Sequence, residues 1–289
     1  MKLSREEKVF LFLVYFIMIL GGLACLLPVL NVFSQSLSSV AAVTGGKVLF
    51  WPIGFNTDGW QYILQRTSFL KSMKNSVINT GIGTVLSVFV TTLTAYAMSR
   101  PYFKGRKGLI YLYVFMMIFN AGVLPNYFQV RSYGLLNTRW ALILPMLINP
   151  YNTFVLKSNF EAVPDSLEEA ARIDGASFTR ILFSIIVPVS KAGIATIVIF
   201  TAVANWNRYF DALLYITKQS LKPAALLLYE MIKLSIQEEG KNDIDLAVHV
   251  TTEIKNASIV VMTMIPILAV YPFMQRYFVK GVMVGSVKG

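Results

Sequence analysis

Apolar residues in this chain gather into long, nearly continuous runs rather than recurring at strand or surface-helix spacing. The runs cover about 9–31, 76–98, 109–128, 140–157, 181–215 and 254–273. Each is about as long as, or in the case of 181–215 longer than, the 20 or so residues needed to cross the hydrocarbon core of a bilayer. The pattern predicts an all-α, polytopic membrane helix bundle with six transmembrane helices. Continuous runs argue against a β-barrel, whose strands would alternate apolar and polar positions. Proline lies inside several runs, at Pro125, Pro145, Pro150, Pro188 and Pro266. Broken helices in lipid persist where protein or a wet cavity satisfies the freed carbonyls, so kinks along a path and merely structural kinks are both open.

Two polar interruptions stand out. After the first run, residues 34–69 combine a Ser-rich start, Gly45-Gly46 and Trp51-Pro52-Ile53-Gly54-Phe55, which reads as an ordered loop at the membrane surface. Between the fourth and fifth runs, residues 165–178 read Asp-Ser-Leu-Glu-Glu-Ala-Ala-Arg-Ile-Asp-Gly-Ala-Ser-Phe. Pro164 and Asp165 begin a short helix there, and Ser166 and Glu169 have capping-box spacing. Gly175 suits a helix end in the left-handed conformation. Leu167, Ala170, Ala171 and Phe178 fall near one face, with Glu168, Arg172 and Asp174 more outward. A turn capped for its own stability and a surface built to meet something else both fit.

Composition agrees with the membrane reading. Hydrophobic residues make up 55% of the 289, and only 14% are charged, against roughly 25% in soluble domains. Mean hydropathy is +0.59. Lacking a long polar region, the chain reads as a single transmembrane domain over 1–289.

The formal charge of +11 sits in short loops beside apolar runs, which assigns it to topology and excludes a nucleic-acid partner. Six spans place both termini on one side. Lys2, Arg5 and Lys8, the cluster Arg100, Lys104, Arg106 and Lys107, and Arg172, Arg180, Arg276, Lys280 and Lys288 then share that side, which the positive-inside rule makes cytoplasmic. Residues 165–178 follow them into the cytosol. The single cysteine, Cys25, excludes an internal disulfide and reads as a packed core thiol on an uncleaved first span. His249, the only histidine, lies in a polar outer loop and reads as solvated.

Polar residues inside spans are costly in lipid and mark candidate functions. Asn149, Tyr151 and Asn152 fall in the fourth span, and Asn205, Trp206, Asn207, Arg208, Tyr209 and Asp211 near the outer end of the fifth, with Asn120, Asn126 and Gln129 in the third as secondary candidates of the same kind. Amides and aromatic rings suit a neutral solute that carries both hydroxyls and an apolar face. They equally suit hydrogen bonding between helices. Arg208 and Asp211, three apart, can neutralise each other on one helix face. Arg131, Arg139 and Arg208 at outer positions suit an acidic glycan, or equally topology and interface anchoring.

Glu169-Ala170-Ala171, three residues, Gly175, nine residues, then Ile185-Ile186-Val187-Pro188 resembles the EAA loop of binding-protein-dependent ABC importer permeases, departing at Val187, where the family pattern has Leu. Gly134-Leu135-Leu136-Asn137-Thr138 and the ending Val287-Lys288-Gly289 carry the resemblance toward carbohydrate-uptake permeases of the smaller maltose-transporter type. The resemblance implies a non-catalytic permease in the bacterial cytoplasmic membrane. Residues 165–178 would be a coupling helix seated in a cytosolic ATPase through Glu168, Glu169, Ala170, Ala171, Arg172, Asp174, Gly175 and Phe178. It further implies a second homologous permease, two ATPase subunits, an extracytoplasmic solute-binding protein met by the loop around residues 224–232, and an oligosaccharide substrate. The tail 281–289 becomes a second ATPase contact. The chain has no Gly-x-x-x-x-Gly-Lys-Ser/Thr, so no cofactor is expected on it, and ATP and Mg belong to the partner ATPase.

A secondary sugar transporter driven by an ion gradient is the rival class. Asp211 is the acidic residue well inside a predicted span, and Arg208 stands ready to neutralise it.

Overall fold

The computed structural model describes residues 4–238 and 250–286. His249 and the ending Val287–Gly289 lie outside these, as do 239–248 of the outer segment. In chain order the helices are α1 (Arg5–Ser36), α2 (Val40–Thr44), α3 (Asp58–Arg66), α4 (Phe69–Ser99), α5 (Arg106–Ile118), α6 (Val123–Ser132), α7 (Trp140–Ile143) and α8 (Pro150–Glu161). There follow α9 (Asp165–Ile173), α10 (Phe178–Ile181), α11 (Val187–Val189), α12 (Lys191–Trp206), α13 (Tyr209–Tyr215), α14 (Ala224–Glu238) and α15 (Thr252–Ser286). No strand occurs among the described residues, and the all-α expectation holds.

Three helices are long and apolar enough to cross a membrane: Arg5–Ser36, Phe69–Ser99 and Thr252–Val270. Two further candidates are bent pairs, α5 with α6 at 119° and Phe178–Val189 with Lys191–Trp206 at 85°. The count among the described residues is therefore three, or five with the bent pairs. The fourth run, 140–157, is delivered as α7, a single 3-10 turn at Leu144–Met146, and α8 rather than one helix.

The bends have local causes. Pro188 has no N–H for the carbonyl one turn back, and the chain widens into a π turn at Leu182–Ile186 just before it. The helix then breaks at Ser190. Between α5 and α6, Asn120 Oδ1 accepts from the Gly122 N–H at 2.9 Å, and Gly122 takes φ +87. Pro125 and Pro150 occupy the first turns of α6 and α8, where a missing N–H costs nothing. Proline thus starts helices here more than it kinks them, although Pro28 and Pro266 lie inside α1 and α15.

The described chain falls into two compact units, Met1–Leu70 with Leu228–Ile265 and Lys71–Leu227 with Pro266–Gly289. In the first, α1 opens with a capping box: Glu7 N–H donates to Ser4 Oγ at 3.2 Å, and Ser4 N–H to Glu7 Oε2 at 2.7 Å. The expected surface loop is two short helices and turns tied to the end of α1. The Asn31 amide donates to the carbonyls of Val48 and Leu49 at 3.1 and 2.8 Å. Cys25 is exposed on an apolar helix, not packed in a core, which corrects the expectation. The reason is that the long apolar window of α1 has none of its residues buried within this chain.

In the second unit the core joins the last turns of α4 and α8 to α9, α10 and α12. It contains Ala95, Tyr96, Leu156, Phe160, Val163, Ala171, Ile181, Leu182, Ile186 and Ile197. The polar stretch 165–178 is seated directly on this core.

Candidate functional site

Helix α9 begins after Pro164 without any side-chain cap, so the expected capping box at Ser166 and Glu169 does not form. With Pro164 as the cap, Ser166 and Glu169 sit too deep in the helix to serve as cap and third residue. Its C-terminus meets expectation. Gly175 has φ +73, its N–H donates to Arg172 O at 3.0 Å, and Ala176 N–H donates to Ala171 O at 2.9 Å. That pair of bonds is a Schellman-type closure. It turns the chain sharply into α10, whose Ser177 cap accepts from the Arg180 N–H at 3.4 Å.

The sequence expectation holds for Ala171, which is buried, and for Arg172 and Asp174, which are exposed, but fails for Glu168, which turns inward, and for Leu167, Ala170 and Phe178, which stay exposed. Glu168 is 4% exposed, and Ala171, three residues on, lies in the core. Glu169 is exposed, together with Leu167, Ala170, Asp174 and Gly175, and Ile173 is 87% exposed. The outer face is thus a small, partly apolar surface on which Glu169 has no ion pair among the described residues.

The buried carboxylate is satisfied from several directions. Glu168 Oε1 accepts from the Tyr96 hydroxyl at 2.9 Å, from the Tyr102 hydroxyl, and from Arg172 Nη2 at 3.1 Å. Its Oε2 faces Arg100 Nε at 2.7 Å as an ion pair. Arg100, itself 4% exposed, also donates from Nη1 to Phe160 O at 3.4 Å and lies 4.0 Å from Asp165. The Arg172 guanidinium lies 3.8 Å from the Tyr102 ring centroid, and Phe178 stacks on that ring at 5.6 Å.

Burial by itself would raise the Glu168 carboxyl. The hydroxyls of Tyr102 and Tyr96 and the charges of Arg100 and Arg172 overcome it and hold the group below the usual carboxylate range. Tyr102 shifts the opposite way, upward, through burial and its bond to Glu168. Arg106 makes a second tie: its Nε donates to Met98 O at 2.7 Å and its Nη2 to Glu161 at 3.0 Å. In the sequence Arg100 and Arg106 are topology signals. In the fold they also hold the ends of α4 and α8 together beneath α9.

The polar candidates within the spans part company. Asn149 is the N-cap of α8, accepting from the Asn152 N–H at 3.0 Å. Asn152 is buried and its amide reaches Thr201 Oγ1 at 3.3 Å. Both serve helix capping and packing, while Tyr151 is exposed. Trp206 is buried, and Asn207 is the exposed C-cap of α12. Asn205 bonds Thr84 Oγ1 at 3.4 Å and lines a small hollow with Ser76, Asn79 and Arg208. Tyr209 begins α13 and is exposed.

Asn120 and Asp211 are brought together. They line a hollow of about 510 Å³ whose other polar walls are Asn126, Gln129, Tyr133 and Tyr215. The break between α5 and α6 forms one side and α13 another. Among the described residues Asp211 is the only charged one in that lining, and Arg208 lies 3.2 Å from it while also donating to Leu142 O at 2.9 Å. Arg139, weighed as an anion ligand, is committed to Asn79 and Asn75 at 3.1 and 2.7 Å.

Residues 5–284 match the family described as "binding-protein-dependent transport system inner membrane component", and the chain belongs to that family. It is 38% identical to the polygalacturonan/rhamnogalacturonan transport system permease protein YtcP of Bacillus subtilis over 98% of this chain and 100% of the relative. It is 41% identical to the protein LplC of the same organism, over 94% and 93% of the two chains. Among solved structures, a chain of a bacterial ABC transporter involved in the import of the acidic polysaccharide alginate superposes with a TM-score of 0.87. That match has 32% identity and covers 96% of this chain and 99% of the other. The chain is therefore a membrane-embedded, non-catalytic permease subunit of an ABC importer, working with a separate ATPase and a solute-binding protein. Family membership also decides against the ion-coupled transporter.

Proposed function

We propose that this chain is one of two related permease subunits of an oligosaccharide importer, with both termini in the cytosol and two ATPase subunits beneath. Helix α9 seats in a groove of an ATPase subunit through Glu169, Ala170, Ile173 and the turn at Gly175. ATP and Mg bind on that partner, and its closure drives the switch from inward to outward access. A solute-binding protein delivers the sugar outside, meeting the segment that includes α14.

The observation that supports this reading most is the two-sided construction of α9. Its inner face is pinned by a buried carboxylate held by four side chains, while its outer face leaves Glu169 and small or apolar side chains open. An exposed Ile173 beside Glu169, which has no ion pair among the described residues, is the kind of surface a docking partner could cover. The names of the relatives favour a polysaccharide-derived substrate, and the amide-lined hollow suits hydroxyl-rich units. The test is sugar uptake in cells carrying Glu169→Lys or Gly175→Arg, with membrane levels matched. Strong loss of uptake is expected, and unchanged uptake overturns the docking role.

A further inference from the structure

The hydrogen bonds and ion pairs of Glu168 and Arg172 run from α9 to a short piece of chain, Tyr96 to Tyr102, at the end of α4. The rest of the inner face is Ala171, a side chain too small to grip the apolar core by shape. An apolar contact of that kind lets one helix slide over another at small cost. A buried carboxylate does not slide, because leaving its donors strands a charge on each side.

Arg100 widens the connection by reaching α8 through Phe160 O and the start of α9 through Asp165. α4 is 31 residues long and one of the three helices able to span a membrane alone. Farther along it, Asn75 donates to the carbonyls of Ser220 and Lys222 at 2.9 and 3.1 Å, and Ser76 Oγ accepts from the Ala224 N–H at 2.8 Å. One continuous helix thus joins the anchor of α9 at one end to the segment entering α14 at the other.

We infer that Glu168 is a positioning residue that latches α9 to α4, so that displacement of α9 is carried into α4 as a body. Through α4 it reaches the Ser220–Ala224 segment at the far end. Glu169 and Gly175 receive the push, and Glu168 transmits it. The inference rests on the docking reading of α9 given above.

The test uses the assembled importer, with its second permease and ATPase, reconstituted in liposomes with its binding protein and a uronic-acid oligosaccharide probe. Sugar transported per ATP hydrolysed is measured for Glu168→Gln, which keeps the shape and removes the charge. The milder Tyr102→Phe removes one donor at the edge of the cluster. The latch predicts that Glu168→Gln lowers the ratio about tenfold while the ATPase still copurifies and ATP hydrolysis stays within twofold. Tyr102→Phe lowers the ratio by a smaller factor.

A wild-type ratio in both variants overturns the latch, as does a proportional fall in hydrolysis and transport. If Glu168→Gln fails to assemble, Tyr102→Phe decides, and its wild-type ratio overturns the latch. Glu169→Lys separates the two ideas. If it leaves uptake unchanged, the docking reading has failed. If it abolishes uptake while Glu168→Gln keeps a normal ratio, only the latch has.

Discussion

At the scale of single residues, adjacent glutamates do opposite work. Helical geometry puts residues 168, 171 and 172 on one side and 169, 170 and 173 on the other. The sequence alone does not say which side is buried. The decisive partners, Tyr96, Arg100 and Tyr102, lie more than 60 residues earlier in the chain, and no local pattern announces them. A buried ion pair broken from one side costs about 3–5 kcal/mol, mostly the stranded partner. Glu168→Ala is therefore expected to lower the thermal midpoint of the purified complex clearly, whereas exposed Glu169→Ala leaves it near the wild-type value.

The pH dependence has a definite sign. The folded carboxyl of Glu168 is held below its ordinary range. Its contribution is present in full above the unfolded value of about 4.3 and is lost only as pH falls through the lower folded value. Melting of the complex followed from pH 8 down to about pH 5 should show no loss assignable to Glu168. A Glu168-dependent loss already near neutrality would contradict the cluster.

At the scale of elements, the long helices are legible from apolar length alone, and the Gly175 cap from its place after a short polar helix. The bend angles are not. Prolines at 125, 145, 150 and 188 mark breaks correctly, but the direction of each bend depends on turn bonds such as Asn120 to Gly122, set by two or three atoms. The fourth run reads as one helix in the sequence because hydropathy cannot register a restart at Asn149-Pro150. Gly175 has open space where a Cβ would stand, with no atom within 4 Å, so Gly175→Ala meets backbone strain without a clash. About 1–2 kcal/mol is expected from the left-handed conformation, with weakened ATPase copurification as the readout.

Gly59 on α3 is the opposite case. A Cβ there would overlap Ser258 Oγ and lie 2.6 Å from Ile254 Cγ2, both on α15. Overpacking of this kind costs about 1–3 kcal/mol. Gly59→Ala is expected to reduce membrane levels at raised growth temperature, measured by quantitative blotting.

At the scale of the whole molecule, the sequence names a set of polar residues without showing which share a surface. The fold spends Asn149 and Asn152 on helix contacts, and gathers Asn120, Asn126, Gln129 and Asp211 around one hollow. Irregular backbone at Phe119–Gly122 is tolerable in a membrane where it lines such a space. The amides offer both donors and acceptors, which suits hydroxyls. Among the described residues the one formal charge on the lining is negative and is offset by Arg208, 3.2 Å from it. As built, the hollow therefore gives an anionic sugar unit no electrostatic advantage over a neutral one.

Asp211→Asn changes that balance in one step. It removes the carboxylate and leaves the Arg208 guanidinium uncompensated 3.2 Å from the substituted side chain. Competition uptake between a uronic-acid oligosaccharide and a neutral one of equal length should then move toward the acidic sugar. A change of about 1 kcal/mol corresponds to roughly fivefold in relative rate, and the shift should shrink as salt screens the freed charge. A preference that stays put would mean that sugar does not pass this wall. A shift toward the neutral sugar would mean that Asp211 serves Arg208 rather than the path.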